Sequence, residues 1–350
     1  MGKGISAWRI SAVYIGTVIG AGFATGQEIY TFFNAFGISG LWGIVFAAVL
    51  FMLFGYIIIE MGLRLGAKSH LELLRHSLGD FWGRILDMLI MFFLFGGLTA
   101  MIAGTGAIFT QQFGMPAFIG GLLMAALTAI TVLTGLKGVI NSISYVVPFL
   151  LIAVFGIAIY SILNAPLDFA SVPSISSGGL LGNWVWAFIL YVSYNLILSV
   201  SVLAPLGAEI SGRKTVLKGA ILGGLGLGIG SFLIYLALAA NFDVIRGLEV
   251  PMAFIAGQIS GWAQAVFTVV LIAEIYTTAV GSLYGFTARI THTEKTPWIV
   301  VAVISTLAFF ASMFGFSSLV KYLYPLVGYA GIILLIALLQ ARYLHWRRGV

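Results

Sequence analysis

Apolar stretches long enough to cross a membrane recur along the whole chain, and this feature constrains its fold more than any other. A membrane-spanning helix needs about 20 predominantly apolar residues, and such stretches follow one another here with short polar interruptions. The 350 residues are 61% hydrophobic and 8% charged, which is not the composition of a soluble domain. The sequence therefore predicts an all-α polytopic membrane protein.

Ten membrane spans account for these stretches. The first lacks a small-residue cleavage site and continues into a glycine-rich, acid-bearing run, so we interpret it as a retained helix rather than a signal peptide. Spans 3 and 8 are long enough to be strongly tilted. The spans, numbered in chain order, cover residues 7–34, 41–62, 81–113, 117–135, 139–163, 184–210, 216–240, 260–288, 297–314 and 319–343.

The basic residues are distributed unevenly across this map. If the N-terminus is cytoplasmic, all of the 17 lysine and arginine residues except Arg246 and Lys321 fall on the cytoplasmic side. This asymmetry follows the positive-inside rule and predicts that both termini lie in the cytoplasm. The net charge of +6 then indicates topology and contact with anionic lipid, not a nucleic-acid surface.

The two halves of the chain resemble each other, since Gly26–Ile29 matches Gly207–Ile210. Each half holds five spans, an odd number, so we expect the halves in opposite orientations. Residues 1–165 form the first repeat, 166–183 an extracellular linker and 184–350 the second repeat. Inverted repeats of this kind place a solute site at their interface, near the middle of the bilayer.

The first span contains a run, Gly16–Glu28, that disfavours a continuous helix. Its four glycines are each less favourable in a helix than alanine by up to about 1 kcal/mol. Close packing explains glycines alone, but not the adjoining polar residues Thr25, Gln27 and Glu28. An unwound backbone presents free N–H groups to an anion and free carbonyl groups to a cation. We therefore expect a break here that contributes to a binding site.

Acidic residues within the spans fall into two classes. Three have an arginine one helical turn away, which favours local ion pairs. Glu28 and Glu274 have no such neighbour, and an ionised carboxylate at that depth needs a partner, a cation or a proton. Each is either a functional ligand or a hydrogen-bonded acid that locks two helices together, and Lys321 is a candidate partner for Glu28. The local pairs are Glu60 with Arg64, Asp87 with Arg84 and Glu209 with Arg213.

Polar side chains also gather in the middle of spans 6 and 8. Span 6 carries Tyr191–Asn195 and then Pro205, which removes a backbone donor. Span 8 carries Thr277 and Thr278. These hydroxyl groups either bond to their own helix one turn back or serve as oxygen ligands for Na⁺, and the sequence leaves both interpretations open.

This pattern resembles the amino acid–polyamine–organocation superfamily and its leucine-transporter-type fold. The chain is most similar to the YkvI-like family of bacterial membrane proteins, through Ile19–Glu28, Tyr191–Asn195 and Pro205–Gly207. The resemblance covers essentially the whole chain and implies two inverted five-helix repeats with discontinuous spans 1 and 6. It also implies a substrate site at the two breaks, which here means Gly20, Ala21, Gly22, Phe23, Ser193, Tyr194 and Asn195.

Sodium-coupled members of the superfamily hold one Na⁺ between helices 1 and 8. By resemblance, its ligands here would be the carbonyl groups of Gly16 and Ile19 and the hydroxyl groups of Thr277 and Thr278. The sequence departs from the pattern at Glu274, one turn before the threonines. A carboxylate at this point would either strengthen cation binding or carry a coupling proton.

These features together predict a secondary active transporter, a Na⁺- or H⁺-coupled symporter of a small amino acid or related amine. Thr25, Glu28 and Tyr191 complete the predicted substrate site. Cysteine is absent, and we expect no cofactor, no nucleic-acid partner and no enzymatic activity, while the oligomeric state stays open. The alternatives are an inorganic-cation transporter or channel with Glu28 and Glu274 as ligands, and a non-transporting membrane receptor or scaffold.

Overall fold

A computed structural model of the protein describes residues 5–67, 69–134, 136–164, 180–291 and 297–347. Every regular element within these ranges is a helix. Of the expected extracellular linker, 166–183, only residues 180–183 belong to the described part of the chain, and the rest lies outside it.

The described part of the first half consists of helices joined by short turns. A 3₁₀ turn, Asn34–Phe36, connects the broken first span to the next helix. The fifth helix is kinked at Gly79, whose φ of 78° is left-handed. The helices are α1 (Ala7–Val18), α2 (Ala21–Thr25), α3 (Gln27–Phe32), α4 (Ile38–Leu65), α5 (His70–Phe113), α6 (Ala117–Leu133) and α7 (Leu136–Asn164).

The described part of the second half follows the same pattern. A short 3₁₀ turn, Ser312–Phe314, follows α13, and a π-helical turn, Leu319–Leu323, joins α14 to α15. The helices are α8 (Trp184–Ala208), α9 (Arg213–Ala239), α10 (Phe242–Ile245), α11 (Pro251–Ile259), α12 (Gly261–Thr291), α13 (Trp298–Ala311), α14 (Phe316–Ser318) and α15 (Tyr324–Arg347).

Six stretches of the described chain are helical, long and apolar enough to cross a membrane, namely α4, α5, α8, α9, α12 and Phe316–Tyr343. Three shorter apolar helices accompany them, at Ala117–Leu133, Pro148–Asn164 and Trp298–Phe314. On α4, Trp42, Phe46 and Val49 are exposed at helical spacing, as expected of a lipid-facing side. The protein is thus a multi-pass helical membrane protein, while the count of ten spans and the inverted orientation stay predictions.

The first span is interrupted twice. α1 ends at Val18, the backbone of Ile19 and Gly20 is extended, and α2 begins at Ala21. Gly26 then separates α2 from α3 with a φ of 85°, a left-handed conformation that favours glycine. The glycine-rich run therefore leaves irregular backbone inside the protein, where burial by neighbouring helices makes it tolerable at membrane depth.

The expected break in span 6 was wrong. α8 is one helix over Trp184–Ala208, and all of its residues are described. Its polar side chains bond to the helix instead of interrupting it, as when Asn195 Nδ2 donates to the carbonyl oxygen of Tyr191 at 2.9 Å. No glycine precedes Gly207 in α8, and Pro205 lies in the last turn, so the local sequence does not favour unwinding in the middle.

α8 lies at the centre of the molecule, between α4 and α15. The approach to α15 is close, because a Cβ added at Gly331 would lie 2.4 Å from the carbonyl oxygen of Ser193. The Ser193 hydroxyl also donates to the carbonyl oxygen of Gly328 at 2.7 Å. These contacts hold α8 in place opposite the broken first span.

Candidate functional site

A cavity of about 110 Å³ lies beside the break between α1 and α2. The lining residues are Gly16, Thr17, Val18, Ile19, Gly20, Glu28, Phe93, Leu94, Gly97, Met101, Tyr194, Asn195, Leu198, Ser201, Val202, Thr277, Thr278, Gly281, Ser282, Leu323, Tyr324 and Val327.

This cavity brings together about half of the residues predicted from the sequence. The ones that line it are Gly16, Ile19, Gly20, Glu28, Tyr194, Asn195, Thr277 and Thr278. The predicted residues that do not line it are Ala21, Gly22, Phe23, Thr25, Tyr191, Ser193 and Glu274.

Glu28 contributes a carboxylate to the cavity wall. Its side chain is 3% exposed and accepts a hydrogen bond from the Tyr194 hydroxyl group. The left-handed Gly26 lets the chain turn so that this carboxylate lies over Gly22, where an added Cβ would be 2.1 Å from Oε1. The backbone N–H of Phe23 interacts with the same carboxylate. Glu28 therefore ties the short helix α2 to α8.

The suggested ion pair between Glu28 and Lys321 was wrong. Lys321 is exposed, and its Nζ lies 5.4 Å from the centroid of the Tyr322 ring. Within the described residues, no ion pair involves Glu28. Hydrogen bonds, and not a cationic side chain, therefore hold the buried carboxylate.

Oxygen atoms from α1 and α12 meet on one side of the cavity. Gly16 and Ile19 lie at the end of α1, and no turn or cap hydrogen bond among the described residues ends on either carbonyl group. The break approaches α12 closely, because a Cβ added at Gly20 would lie 3.6 Å from Cγ2 of Thr278. Thr277 lines the same wall. Hard cations prefer oxygen ligands, so the chemistry of this set fits a cation such as Na⁺.

Glu274 lies behind these threonines and is fully buried. The Thr277 hydroxyl donates to the Glu274 carbonyl oxygen at 2.9 Å, and the Thr278 hydroxyl is 3.5 Å from Oε1 of the carboxyl group. The other carboxyl oxygen, Oε2, is buried and has no hydrogen-bond partner among the described residues. An unsatisfied buried oxygen costs stability, which favours a functional role over a purely structural one.

The predicted residues that do not line the cavity support it from behind. Thr25 donates to the carbonyl oxygen of Gly22, within the first span. The side chains of Phe23 and Tyr191 are each 1% exposed. The ring of Tyr191 packs edge-on against that of Phe33, with 4.9 Å between the ring centroids. The side chain of Ala21 lies outside the described residues. These positions are consistent with packing around the site rather than with contact to a solute.

Sequence reasoning missed several lining residues, and Tyr324 is the most informative of them. Its ring centroid lies 5.0 Å from that of Tyr194. Phe93 and Met101 of α5 add apolar surface to the wall. No motif marks these residues, although a tyrosine directly before Pro325 in an apolar span is a signal that could have identified Tyr324.

A charged cluster around Glu60 lies away from the cavity. The expected Glu60–Arg64 pair is confirmed. Glu60 also pairs with Arg213, whose Nε lies 3.1 Å from Oε1. The expected pair of Glu209 with Arg213 was therefore wrong, because a buried carboxylate on a neighbouring helix holds this arginine.

A second cluster surrounds Asp87, which was expected to pair with Arg84. Instead, Asp87 bonds to Arg289 of α12, with 2.6 Å between Oδ2 and Nη2, and to His70 Nε2 at 3.1 Å. The expectation was wrong because tertiary packing brings in partners that sequence spacing does not reveal. These contacts join the cytoplasmic ends that the sequence predicts for spans 3 and 8.

Two relatives from Bacillus subtilis (strain 168) are similar to the chain over nearly its whole length. An uncharacterized membrane protein, YkvI, is 33% identical over 344 residues, which is 95% of each chain. An uncharacterized protein, YyaD, is 30% identical over 328 residues, which is 93% of this chain and 94% of the relative. No protein-family model matches the chain.

The fold is similar to those of solved transporters. MhsT in complex with L-phenylalanine aligns with a TM-score of 0.64 at 17% identity, over 95% of this chain and 89% of that one. A Na⁺-coupled sialic acid symporter aligns at 0.63 and 13% identity, over 95% and 79%. A manganese transporter of Eremococcus coleocola aligns at 0.55 and 15% identity, over 87% and 69%. At such low identity the likeness shows the fold alone.

Proposed function

Because the chain belongs to the YkvI-like family of bacterial membrane proteins and has the leucine-transporter-type fold, we propose that it is a secondary active transporter and not an enzyme. Its solute is a small amino acid or related amine, carried in symport with Na⁺ or H⁺. One observation carries the proposal: residues of the interrupted first span, Glu28, Tyr194 and the threonines of α12 line one cavity. Broken helices beside such a cavity are typical of solute sites in transporters.

Ten spans in two inverted repeats, 1–165 and 184–350, provide the alternating access that the proposal needs. The linker between them is extracellular, and both termini lie in the cytoplasm of a bacterial inner membrane. Spans 1, 2, 6 and 7 rock against the others, as the resemblance implies. The broken first span contributes backbone groups to the site, while the continuous α8 contributes only side chains.

The coupling cation binds where α1 meets α12. The carbonyl oxygens of Gly16 and Ile19 and the hydroxyl oxygens of Thr277 and Thr278 hold Na⁺ if Na⁺ is the coupling ion. A threonine hydroxyl that donates its hydrogen to the helix keeps lone pairs for a cation, so the Thr277 bond to its own helix does not conflict with this role. Glu274, one turn away, supplies negative charge for Na⁺ or takes up a proton.

The solute binds on the other side of the cavity, beside Glu28, Tyr194 and Asn195. The carboxylate of Glu28 attracts a positively charged group, and the rings of Tyr194 and Tyr324 provide surface for an apolar part. Phe23 and Tyr191 shape the site from behind.

The alternative of an inorganic-cation transporter finds less support. The described residues contain no group of three or more His, Cys, Asp or Glu side chains that could hold a metal ion. Glu28 lines the cavity, whereas Glu274 does not, so the two carboxylates do not share one site. The alternative of a receptor or scaffold leaves the buried, unsatisfied carboxyl oxygen of Glu274 without a purpose.

Uptake into proteoliposomes tests the proposal. The purified full chain is reconstituted, a Na⁺ or pH gradient is imposed, and the uptake of labelled amino acids and amines is measured. We expect at least one solute to accumulate above equilibrium and to leak out when the gradient is dissipated. Glu28→Gln should lower this uptake at least tenfold, whereas Glu209→Gln, at an exposed acid outside the cavity, should leave it unchanged. Absence of gradient-driven uptake for every solute would overturn the proposal.

A further inference from the structure

Among the described residues, the cavity wall contains an acidic side chain and no basic one. Of the described residues that line it, Glu28 is the only aspartate or glutamate, and none is a lysine, arginine or histidine. The polar remainder consists of hydroxyl groups, the amide of Asn195 and backbone. An anionic group that enters this cavity would face the carboxyl group of Glu28 without a cationic side chain to balance its charge, which is unfavourable.

The carboxyl group of Glu28 lies against the start of α2. Gly22 and Phe23 lie at the start of α2, where free N–H groups would serve an anionic ligand. The carboxylate of Glu28 lies over Gly22 and interacts with the N–H of Phe23, and neither of these residues lines the cavity. Glu28 therefore occupies the Phe23 donor that a solute carboxylate would otherwise use.

Aromatic rings complete the surroundings of Glu28. Tyr194, which donates to Glu28, has its ring centroid 5.0 Å from that of Tyr324 and 5.6 Å from that of Phe32. Phe93 lines the same cavity. A carboxylate beside aromatic rings is a suitable environment for an organic ammonium ion, since the ring faces attract a cation and the carboxylate balances its charge.

From this arrangement we infer that the transported solute is a small organic amine, positively charged and without a carboxylate group. The inference rests on the proposed function and narrows its solute class, because zwitterionic amino acids are excluded. The ammonium group binds to Glu28, and the hydrocarbon part lies against Tyr194, Tyr324 and Phe93.

Matched probes distinguish the contribution of an ammonium group to binding from that of a carboxylate group. Binding to the purified full chain in detergent is measured by calorimetry with 3-methylbutylamine, leucine and 4-methylpentanoate, which share one branched carbon skeleton. The aromatic series 2-phenylethylamine, phenylalanine and 3-phenylpropionate is measured alongside. We expect at least one of the amines to bind with a dissociation constant at least tenfold below that of its amino acid, and neither carboxylic acid to bind.

Glu28→Gln should weaken amine binding at least tenfold, and Glu209→Gln serves as the matched control. Size-exclusion chromatography and thermal unfolding establish that both variants are folded. The comparison of amine, amino acid and carboxylic acid probes uses the wild-type protein and does not depend on either variant. Amino acids that bind as tightly as the amines would overturn the inference while leaving the transporter proposal intact. Failure of both amines to bind would also overturn it, and the uptake experiment then decides separately whether any solute is transported.

Discussion

Substitution of Gly22 by alanine tests the position of Glu28 directly. An added Cβ would lie 2.1 Å from Oε1, 2.4 Å from Cγ and 2.6 Å from Cδ of Glu28, so the whole side chain has to move. Its hydrogen bond with Tyr194 is then lost, and two buried polar groups remain unsatisfied at about 1–3 kcal/mol each. We expect Gly22→Ala to lower the free energy of unfolding by about 2–6 kcal/mol.

Gly20→Ala is the matched control in the same run of sequence. The nearest atom to a Cβ at Gly20 is 3.6 Å away, an ordinary contact distance, so this variant should change stability by less than about 1 kcal/mol. Unfolding is followed by denaturant titration in micelles. The loss of unfolding free energy caused by Gly22→Ala should fall by at least half in a Glu28→Ala background, because the contact between the added Cβ and the Glu28 side chain is removed. An equal loss of unfolding free energy in both backgrounds, or an equal loss for Gly20→Ala, would refute the position of Glu28 over Gly22.

Three further predictions concern other contacts. Asp87→Asn should lower the free energy of unfolding by about 1–3 kcal/mol, because it removes the charge-assisted hydrogen bonds to Arg289 and His70, whereas Arg84→Ala should cost less than about 0.5 kcal/mol in the same titration. Ser193→Ala should cost about 1 kcal/mol, because one hydrogen bond to α15 is lost, and should leave solute affinity in calorimetry within twofold. Glu274→Gln should abolish gradient-driven accumulation in proteoliposomes but preserve solute binding; unchanged accumulation would remove this residue from the coupling mechanism.

The helices and the first break were predictable from local signals. Apolar length indicates a span, and a glycine-rich run with adjoining polar residues indicates that a helix ends. The structure follows this at Ile19, Gly20 and Gly26. The residues of the glycine-rich run that line the cavity were predictable for the same reason, because their positions follow from the point at which the first helix ends.

The second break was not predictable, because the polar residues of span 6 have two uses that sequence does not distinguish. A serine or asparagine in a membrane helix either faces a ligand or bonds to nearby backbone. Ser193 and Asn195 bond to backbone, although Asn195 also lines the cavity. The partners of Asp87 and Arg213 were missed for a related reason, since ion pairs between helices depend on packing that spacing along one helix does not reveal.

Under the proposed function, a single broken span divides selectivity between the two halves of the chain. The first half provides backbone oxygens and the carboxyl group of Glu28, which would set a preference for positive charge. The continuous α8 and the start of α15 provide the rings of Tyr194 and Tyr324, which would contact the rest of the solute. Substitutions at Tyr324 should therefore change which amine is preferred without removing the preference for amines, because the carboxylate that attracts the charge lies on a different part of the fold.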